Sequence, residues 1–481
     1  MGNVTDEPKP TGPTLALVDP ATNPHLSGRF TPVHRQIDAV VTEIDGEVPA
    51  DLVGAYLRNG PNPKFPPLGS YTYPMEGDGM LHGLWFEPGG VRYRNRWVTT
   101  NGLAAEERAG RALYGGLLTP AMVDPSRLGP DPDPGWPSKL DAFINVVSHA
   151  GHLLALEEGL PAYEVTPRLE TMGRFDFAGG LPKGLCAHPK IDPVTGEMVV
   201  FRYDVEQPYL TWAVVAADGT MARPEQPVDG VDHSCMIHDF VITEHHLVLV
   251  VSPAVFDVAA MLAGGPLLSW QPDLGTRIAV IRRDGTGSTR WIETDAFWVW
   301  HFANAHEDGP DIELSFPRWT LPGFLVPDAE DRGDYVRARL SPDAGTVSFE
   351  TLHVGPSEFP RIDDRRLGRP NRHALVTSAS GQVSGLVPGE HDALCRVDLD
   401  SGGWSEHLTG GVVGEPIFAP RAGASDDETD GYYLAYVNAV DRDTTSLRIW
   451  DAAEFPAPPR ATLHLPQRVP NGLHGNWFPA S

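Results

Sequence analysis

Four histidines of this 481-residue chain could hold a metal ion, although they are far apart in the sequence. His238 and His301 lie in apolar or aromatic runs, where a neutral imidazole is costly to bury unless its nitrogens find partners. A metal ion supplies one such partner. No two of the four share a helical turn, so the fold must bring separate segments to one point if they act together. The set is His188, His238, His301 and His474.

The gaps between these histidines fit a fold built from repeated sheets. They are 50, 63 and 173 residues long in chain order. A propeller blade with its excursions takes roughly 45 to 70 residues. Each histidine could therefore come from the inner strand of a different blade.

Short apolar runs separated by turn sequences predict an all-β fold. The chain has 50 glycines and 47 prolines, about a fifth of its residues, so it turns often and cannot be mostly helical. Hairpin turn pairs such as Asp218-Gly219 and Asp284-Gly285 separate the runs. Long all-β chains avoid open sheet edges by closing into barrels, sandwiches or propellers, and we favour a propeller. The apolar runs are 199–203, 210–216, 247–251, 278–281, 394–399 and 432–437.

Three segments depart from this strand pattern. Residues 1–30 are rich in proline and predict an N-terminal extension before a single domain over 31–481. Residues 104–116 predict a short helix over a loop. Residues 253–270 are almost entirely apolar, which fits either a capping helix buried against the sheets or an exposed lip that meets a membrane or an apolar substrate.

Charge and cysteine content exclude several classes of protein. The formal net charge of −27, without a basic stripe, argues against nucleic acid as a partner. Cys186, Cys235 and Cys395 form no CxxC motif and are odd in number, so neither a disulfide framework nor a zinc ribbon is indicated, and a reducing cytoplasm fits best. The sequence contains no signal-peptide pattern and no apolar stretch of about 20 residues, which predicts a soluble or at most peripheral protein.

Eight motifs in register resemble those of the carotenoid cleavage oxygenases. The resemblance runs from about residue 55 to the end of the sequence. It implies a seven-bladed β-propeller with loops and helices roofing one face, and a ferrous iron held on the axis by His188, His238, His301 and His474. The motifs are 57–63, 77–83, 93–98, 187–190, 238–240, 358–362, 414–416 and 473–477.

The same resemblance places Glu158, Glu358 and Glu415 behind the histidines. A carboxylate that accepts the outer N–H of a ligating imidazole fixes the ring's orientation and makes it a better donor. Glu157 competes with Glu158 for this role. Because neighbouring strand residues face opposite sides, only one of the two can serve.

By resemblance, the reaction is oxidative scission of a conjugated C=C bond of a carotenoid or apocarotenoid into two carbonyl products. Four protein ligands leave two positions of an octahedral iron free for dioxygen. The sequence contains no flavin, haem or nicotinamide motif, consistent with iron and oxygen carrying the difficult steps. The roof must then be an apolar tunnel. Its candidate lining residues are Phe143, Phe256, Trp298, Phe302 and Trp319.

Several alternatives remain open. Stilbene-cleaving relatives recognise a phenol hydroxyl, for which Lys139 is a candidate, and another relative isomerises retinoids without oxygen. A non-catalytic propeller that binds a peptide in its channel is a different class altogether. One departure from the family affects the choice of substrate. Many relatives have an Ala-Asn-Thr-Asn type segment where this chain has Ala142 to Asn145, so that Ile144 places a bulkier group near the iron.

Overall fold

The computed structural model describes residues 15–120, 123, 139–263, 265–323, 325 and 333–480. Strand accounts for 43% of the residues and helix for 6%, which confirms the prediction of an all-β fold. Four of the six apolar runs singled out in the sequence lie wholly in strands, and the other two, 210–216 and 394–399, extend one residue beyond the end of a strand. Within the described residues, the main strands form seven antiparallel blades, so the chain folds as a seven-bladed β-propeller.

The blades are numbered in chain order, and their strands are given from the innermost to the outermost. Blade 1 contains β32 (Gly475–Pro479), β3 (Gly54–Arg58), β4 (Met80–Glu87), β5 (Gly90–Trp97) and β1 (Asp38–Val40). Blade 2 contains β6 (Asn145–His149), β7 (His152–Leu156), β8 (Ala162–Val165) and β9 (Thr171–Phe175). Blade 3 contains β10 (Lys190–Ile191), β11 (Met198–Tyr203), β12 (Leu210–Val215) and β13 (Met221–Pro227).

The remaining four blades follow the same order. Blade 4 contains β14 (Val241–Ile242), β15 (His246–Val251), β18 (Thr276–Arg282) and β19 (Arg290–Thr294). Blade 5 contains β20 (Asn304–Asp308), β21 (Asp311–Arg318), β22 (Asp334–Ser341) and β23 (Thr346–His353). Blade 6 contains β24 (Ser357–Arg361), β25 (His373–Ser378), β26 (His391–Asp398) and β27 (Gly403–Val413). Blade 7 contains β28 (Ile417–Pro420), β29 (Gly431–Asn438), β30 (Thr445–Asp451), β31 (Ala461–His464) and β2 (Ile44–Gly46).

The two ends of the described chain close the ring. Strand β32 from the C-terminal end is the innermost strand of blade 1, where Gly475 pairs with Arg58 of β3. At the other end of the sequence, β2 completes blade 7 by pairing with β31. Blades 1 and 7 are thus each built from both ends of the sequence.

The hydrophobic core is a ring of clusters between neighbouring blades. Strand β15 shows how one strand serves two clusters, because its successive side chains face opposite sides of the sheet. Leu247 and Leu249 face the cluster shared with blade 3, whereas Val248 and Val250 face the cluster shared with blade 5. Both faces of a blade are therefore buried, which explains why these strands appear in the sequence as continuous apolar runs rather than alternating ones.

A roof of excursions covers one end of the propeller. Each innermost strand begins at this end, and the antiparallel strand beside it ends there. The long connections 59–79, 98–144, 252–275, 319–333 and 379–390 therefore all leave the blades on the same side. In the described residues of these connections, the helical segments are α1 (Asn101–Ala109), α2 (Val258–Leu262) and a 3-10 turn, Pro272–Leu274.

Helix α1 lies earlier in the chain than the predicted helix over 104–116. It begins where the Thr100 side chain caps the backbone N–H of Leu103, and it ends at Gly110, whose φ of 67° is left-handed. The excursion 253–270 is a hairpin of β16 (Ala254–Phe256) and β17 (Leu268–Trp270) with α2 at its tip, rather than one capping helix. Among the described residues, no helix is long and apolar enough to cross a membrane.

Residues 15–30 of the predicted N-terminal extension pack onto the propeller, while residues 1–14 lie outside the described part. Two 3-10 turns, Pro24–Leu26 and Gly28–Phe30, bury Leu26 and Phe30. Arg29 of the second turn joins this segment to the roof, because its Nε donates to Glu390 Oε1 at 2.6 Å. The division into an extension and a domain over 31–481 stays a prediction. One further 3-10 turn, Asp364–Arg366, follows β24.

Candidate metal centre

The four histidines predicted as a set meet at one point. One ring nitrogen of each lies within 4.8 Å of those of the other three, and all four side chains are buried. The Nε2 atoms of His188 and His238 are 3.2 Å apart, those of His238 and His301 are 3.2 Å apart, and those of His301 and His474 are 3.1 Å apart. Residues separated by up to 286 positions, from His188 to His474, therefore share one centre.

The propeller supplies these side chains from the roofed ends of its innermost strands. His188 lies two residues before β10, His238 and His301 lie three residues before β14 and β20, and His474 immediately precedes β32. They come from blades 3, 4, 5 and 1. Two of these inner strands pair over only two residues, so the preceding segments are free of the ladder and can turn towards the axis.

The remaining three blades supply the three predicted glutamates. Glu158 follows β7 of blade 2, Glu358 lies in β24 of blade 6, and Glu415 precedes β28 of blade 7. Each accepts a hydrogen bond from the Nδ1 of one histidine. His238 donates to Glu158, His301 donates to Glu358 at 2.5 Å, and His474 donates to Glu415 at 2.9 Å. Within the described part of the chain, His188 has no carboxylate partner.

These hydrogen bonds determine which nitrogens face the centre. Because Nδ1–H is committed to a glutamate in His238, His301 and His474, Nε2 of each ring presents a lone pair to its neighbours. Lone pairs 3.1 to 3.2 Å apart repel one another unless a cation lies between them. The arrangement therefore fits a metal ion held by four imidazoles.

The pKa shifts agree with imidazoles that are available as donors. Burial, with a smaller effect from the neighbouring histidines, holds the pKa of His188 well below its usual range. Burial lowers the pKa of His474 to about 4, although Glu415 opposes the shift. For His301, burial is outweighed by Glu358, and the pKa is raised, which makes this imidazole a stronger base.

Glu158, and not Glu157, faces the histidines. The Glu157 carboxylate instead accepts hydrogen bonds from the backbone N–H groups of Asp141 at 2.6 Å and Ala142 at 2.9 Å. It therefore anchors the roof segment that leads into β6.

Three further side chains contact the glutamates, and the sequence did not single out their roles. The Tyr203 hydroxyl donates to Glu158, and Trp319 Nε1 donates to Glu358 at 3.4 Å. Arg361 Nη1 lies 3.3 Å from Glu415. Arg361 falls inside one of the recognised motifs, but Tyr203 ends an ordinary strand and has no local signal.

An aromatic cluster lies beside the centre under the roof. Most of its rings are only partly buried, and Trp300 reaches His238 with a ring-centroid distance of 5.2 Å. Phe256, Trp298 and Trp319, which were predicted as tunnel lining, belong to it. We define the aromatic cluster as Tyr203, Phe256, Trp270, Trp298, Trp300 and Trp319, with Met75, Met236, Leu268 and Leu325 packed among them.

The other two predicted lining residues lie elsewhere. Phe143 packs with Ile144 and Ala187, next to His188, whereas Phe302 is part of the core between blades 4 and 5. Ile144 is buried as predicted beside the centre, and its carbonyl accepts a hydrogen bond from the backbone N–H of His474 at 3.1 Å.

Lys139, the candidate for phenol recognition, is enclosed by acidic side chains. Its Nζ donates to Asp78 at 2.6 Å and to Glu106 at 2.9 Å, and it lies 3.4 Å from Asp141. An ammonium group has only three protons to donate. These carboxylates therefore surround the Lys139 ammonium group. Their contacts with it hold α1 and the start of the 77–83 motif against the segment before β6.

Comparison with known proteins agrees with this site. The family model described as RPE65, retinal pigment epithelial membrane protein, matches residues 30–479. The isoeugenol monooxygenase of Pseudomonas nitroreducens is 31% identical over 95% of this chain and 98% of its own length. The carotenoid 9,10(9',10')-cleavage dioxygenase 1 of Pisum sativum is 30% identical over 94% and 89%, respectively.

Among solved structures, a lignostilbene dioxygenase from Pseudomonas brassicacearum has a similar fold. It superposes with a TM-score of 0.88 at 28% identity and covers 95% of this chain and 99% of that one. Fold, site and relatives thus agree over nearly the whole sequence. The chain belongs to the RPE65/carotenoid cleavage oxygenase family and is an enzyme of the dioxygenase type.

Proposed function

We propose that this protein is a non-haem iron(II) dioxygenase that cleaves a conjugated C=C bond into two carbonyl products. The observation that carries the proposal is the convergence of four histidine Nε2 atoms beside the aromatic cluster. A nitrogen-only donor set suits iron, zinc, copper or nickel. Zinc has no redox chemistry, so a dioxygenase requires one of the others, and iron is the metal that the resemblance of the motifs implies.

The charges around the centre fit a divalent ion. Glu158, Glu358 and Glu415 would carry three negative charges, and Arg361 beside Glu415 returns one positive charge. The remaining two negative charges balance a divalent cation without occupying a coordination position. When bound, ferrous iron would supply the activation of dioxygen, which no side chain can supply.

The residues of the chain have separate tasks in this proposal. His188, His238, His301 and His474 hold the ion, and the three glutamates fix the orientation of three of the rings. The aromatic cluster binds the flat apolar substrate and excludes water from the double bond. No general acid or base is assigned.

Carotenoids or apocarotenoids are the first candidate substrates, supported by the carotenoid-cleaving relative and by the apolar character of the cluster. Phenylpropenes and stilbenes are the second, favoured by the high structural similarity to the lignostilbene dioxygenase. If a phenol is recognised, a group other than Lys139 must do so, since acidic side chains already enclose that ammonium.

The test is turnover of a substrate panel by protein reconstituted anaerobically with ferrous iron. β-Carotene, an apocarotenal, resveratrol and isoeugenol are each incubated under labelled dioxygen, and the products are identified by mass. We expect carbonyl products that contain the label, with stoichiometric iron in the protein. Zinc-loaded protein is the control. Stoichiometric iron binding without cleavage of any panel member would contradict the proposal, and absence of iron binding would favour a non-catalytic scaffold.

We further propose that the protein works in a reducing cytoplasm and touches membranes through the 253–270 hairpin. All three cysteines are free and buried, and the apolar side chains Val255, Phe256 and Trp270 are only partly covered. Sedimentation with neutral phosphatidylcholine vesicles tests the contact. Trp270→Ser should reduce binding, and equal binding of both proteins would exclude the hairpin as the contact.

A further inference from the structure

We infer that the aromatic cluster and the histidine centre are mechanically coupled, so that a ligand in the cluster alters how His238 and His301 bind their metal. Two glutamates that orient these histidines take a further hydrogen bond from rings of the aromatic cluster. The inference deepens the proposed function and rests on it for the nature of the ligand.

Tyr203 makes the first connection. Its hydroxyl donates to Oε1 of Glu158, while Oε2 of the same carboxylate accepts from His238 Nδ1. The Tyr203 ring stacks on Phe256 of the roof hairpin, with a centroid distance of 5.5 Å and an interplanar angle of 27°. A ligand that displaces either ring changes the hydrogen bond to Glu158, and with it the donor strength of His238.

Trp319 makes the second connection. Its Nε1 donates to Oε1 of Glu358 at 3.4 Å, while Oε2 accepts from His301 Nδ1 at 2.5 Å. The 3.4 Å contact is long for a hydrogen bond and has room to shorten. Trp319 is tied to Trp298 by two backbone hydrogen bonds of 2.8 and 3.0 Å, and the Trp298 ring contacts Trp300 at 5.1 Å.

The other half of the centre lacks such connections. Glu415 is held by Arg361 at 3.3 Å and by the backbone N–H of Gly475 at 2.9 Å, both of which belong to inner strands. His188 has no carboxylate partner among the described residues. Among the residues that the structure describes, these hydrogen bonds therefore link His238 and His301, but not His188 or His474, to the aromatic cluster.

This asymmetry suggests a way in which substrate binding could affect the metal centre before dioxygen binds. A substrate that presses on Tyr203 and Trp319 would strengthen or weaken two imidazole donors before dioxygen arrives. Glu158 and Glu358 would transmit this change from the two rings to His238 and His301, which would hold the metal. Tyr203 and Trp319 are positioning residues in this scheme, because they act through the glutamates.

The experiment uses the full chain loaded with cobalt(II), whose visible absorption reports its ligand field, under anaerobic conditions with isoeugenol as the probe. In the wild type we expect isoeugenol to shift the cobalt bands. Tyr203→Phe and Trp319→Phe should change the bands before any probe is added, and should reduce the shift that the probe causes. Cobalt affinity should fall by up to about tenfold in each.

Two control variants remove the same chemical groups, a tyrosine hydroxyl and an indole N–H, at positions outside the aromatic cluster. Tyr209→Phe removes a hydroxyl from a half-buried ring outside the aromatic cluster, and Trp291→Phe removes an indole N–H that donates to the backbone carbonyl of Asp229 at 3.1 Å. Both should keep the wild-type bands and the full shift.

Two outcomes would overturn the coupling: wild-type bands that do not respond to bound isoeugenol, or variants whose bands match those of the controls. Binding of isoeugenol is measured separately by calorimetry. Failure of the proposed function is distinguishable, because it appears as absent cleavage by the iron-loaded protein, whereas the cobalt comparison needs only binding.

Discussion

Glu157 and Glu158 are adjacent in the chain, yet their carboxylates serve different parts of the molecule. Glu158 accepts a hydrogen bond from the imidazole of His238, and Glu157 accepts two from backbone amides of the roof. This division predicts that Glu158→Gln weakens metal affinity by about 10 to 100 fold, because the imidazole loses an anionic acceptor. Glu157→Gln keeps an oxygen acceptor for the amides and should leave the affinity within about threefold.

Competition against a chelator of known affinity measures both values on the same preparation. Equal loss of affinity in the two variants would mean that the carboxylates act through the general field of the site rather than through the contact with His238.

The four histidines should be individually essential for the metal. Replacing any one of them, for example His188→Ala, removes one donor and leaves three, and we expect loss of stoichiometric iron and of turnover in a folded protein. His82→Ala is the control, since His82 is equally buried but pairs with Tyr93 at 2.8 Å in blade 1. Metal analysis and circular dichroism are the measurements. Full activity in any of the four variants would remove that histidine from the ligand set.

Glu415 should make the fold sensitive to acid. Burial acts to raise its pKa, but His474 and Arg361 outweigh burial and lower the pKa from 4.5 to about 2. The ionised carboxylate therefore stabilises the fold fully above pH 4.5, and this contribution is lost as the pH falls towards 2. The amount is on the order of 3 kcal/mol.

Denaturant unfolding at a series of pH values tests this expectation. Glu415→Gln should flatten the acid side of the stability curve, while Glu87→Gln, at an exposed position, should not. Parallel curves for wild type and Glu415→Gln would show that other carboxylates control acid stability.

Ile144 offers a test of oxygen access. Ile144→Thr makes the side chain beside Ala187 smaller and polar, and we expect a lower KM for dioxygen with unchanged metal affinity. Burying the new hydroxyl should cost about 1 to 3 kcal/mol of unfolding free energy. Ile312→Thr in the blade 5 core is the control, because it buries the same hydroxyl far from the centre. An unchanged KM for dioxygen in Ile144→Thr, with the same stability loss as Ile312→Thr, would limit Ile144 to a packing role.

The sequence was sufficient to predict the all-β propeller and the four histidines that the structure brings together, for identifiable reasons. Runs such as 247–251 are buried on both faces and therefore stay apolar throughout. Three of the histidines and two of the glutamates lie in motifs that resemble one family from about residue 55 onwards, while His301 and Glu158 were placed by the same resemblance outside those motifs. The gaps between the histidines predicted that each comes from a different blade, and in the structure they correspond to one step from blade 3 to 4, one from 4 to 5, and three from 5 to 1.

The contacts behind the glutamates could not be predicted, because they join segments that are distant in the chain and unremarkable in composition. Tyr203 ends strand β11, and nothing near it indicates a partner 45 residues earlier. Phe302, next to a histidine, was expected in the tunnel, but its ring packs in the core between blades 4 and 5. Lys139 is buried among carboxylates that come from three separate segments.

The pairing of β32 with β3 has a consequence for biosynthesis. Because His474 directly precedes the strand that closes the ring, the last of the four donors leaves the ribosome only after all other blades have emerged. Until that strand docks beside β3, the growing polypeptide has at most three of its imidazoles to offer a metal. The order of synthesis therefore disfavours metal binding before the chain is complete. It also disfavours the oxidative damage that an early-bound metal would cause.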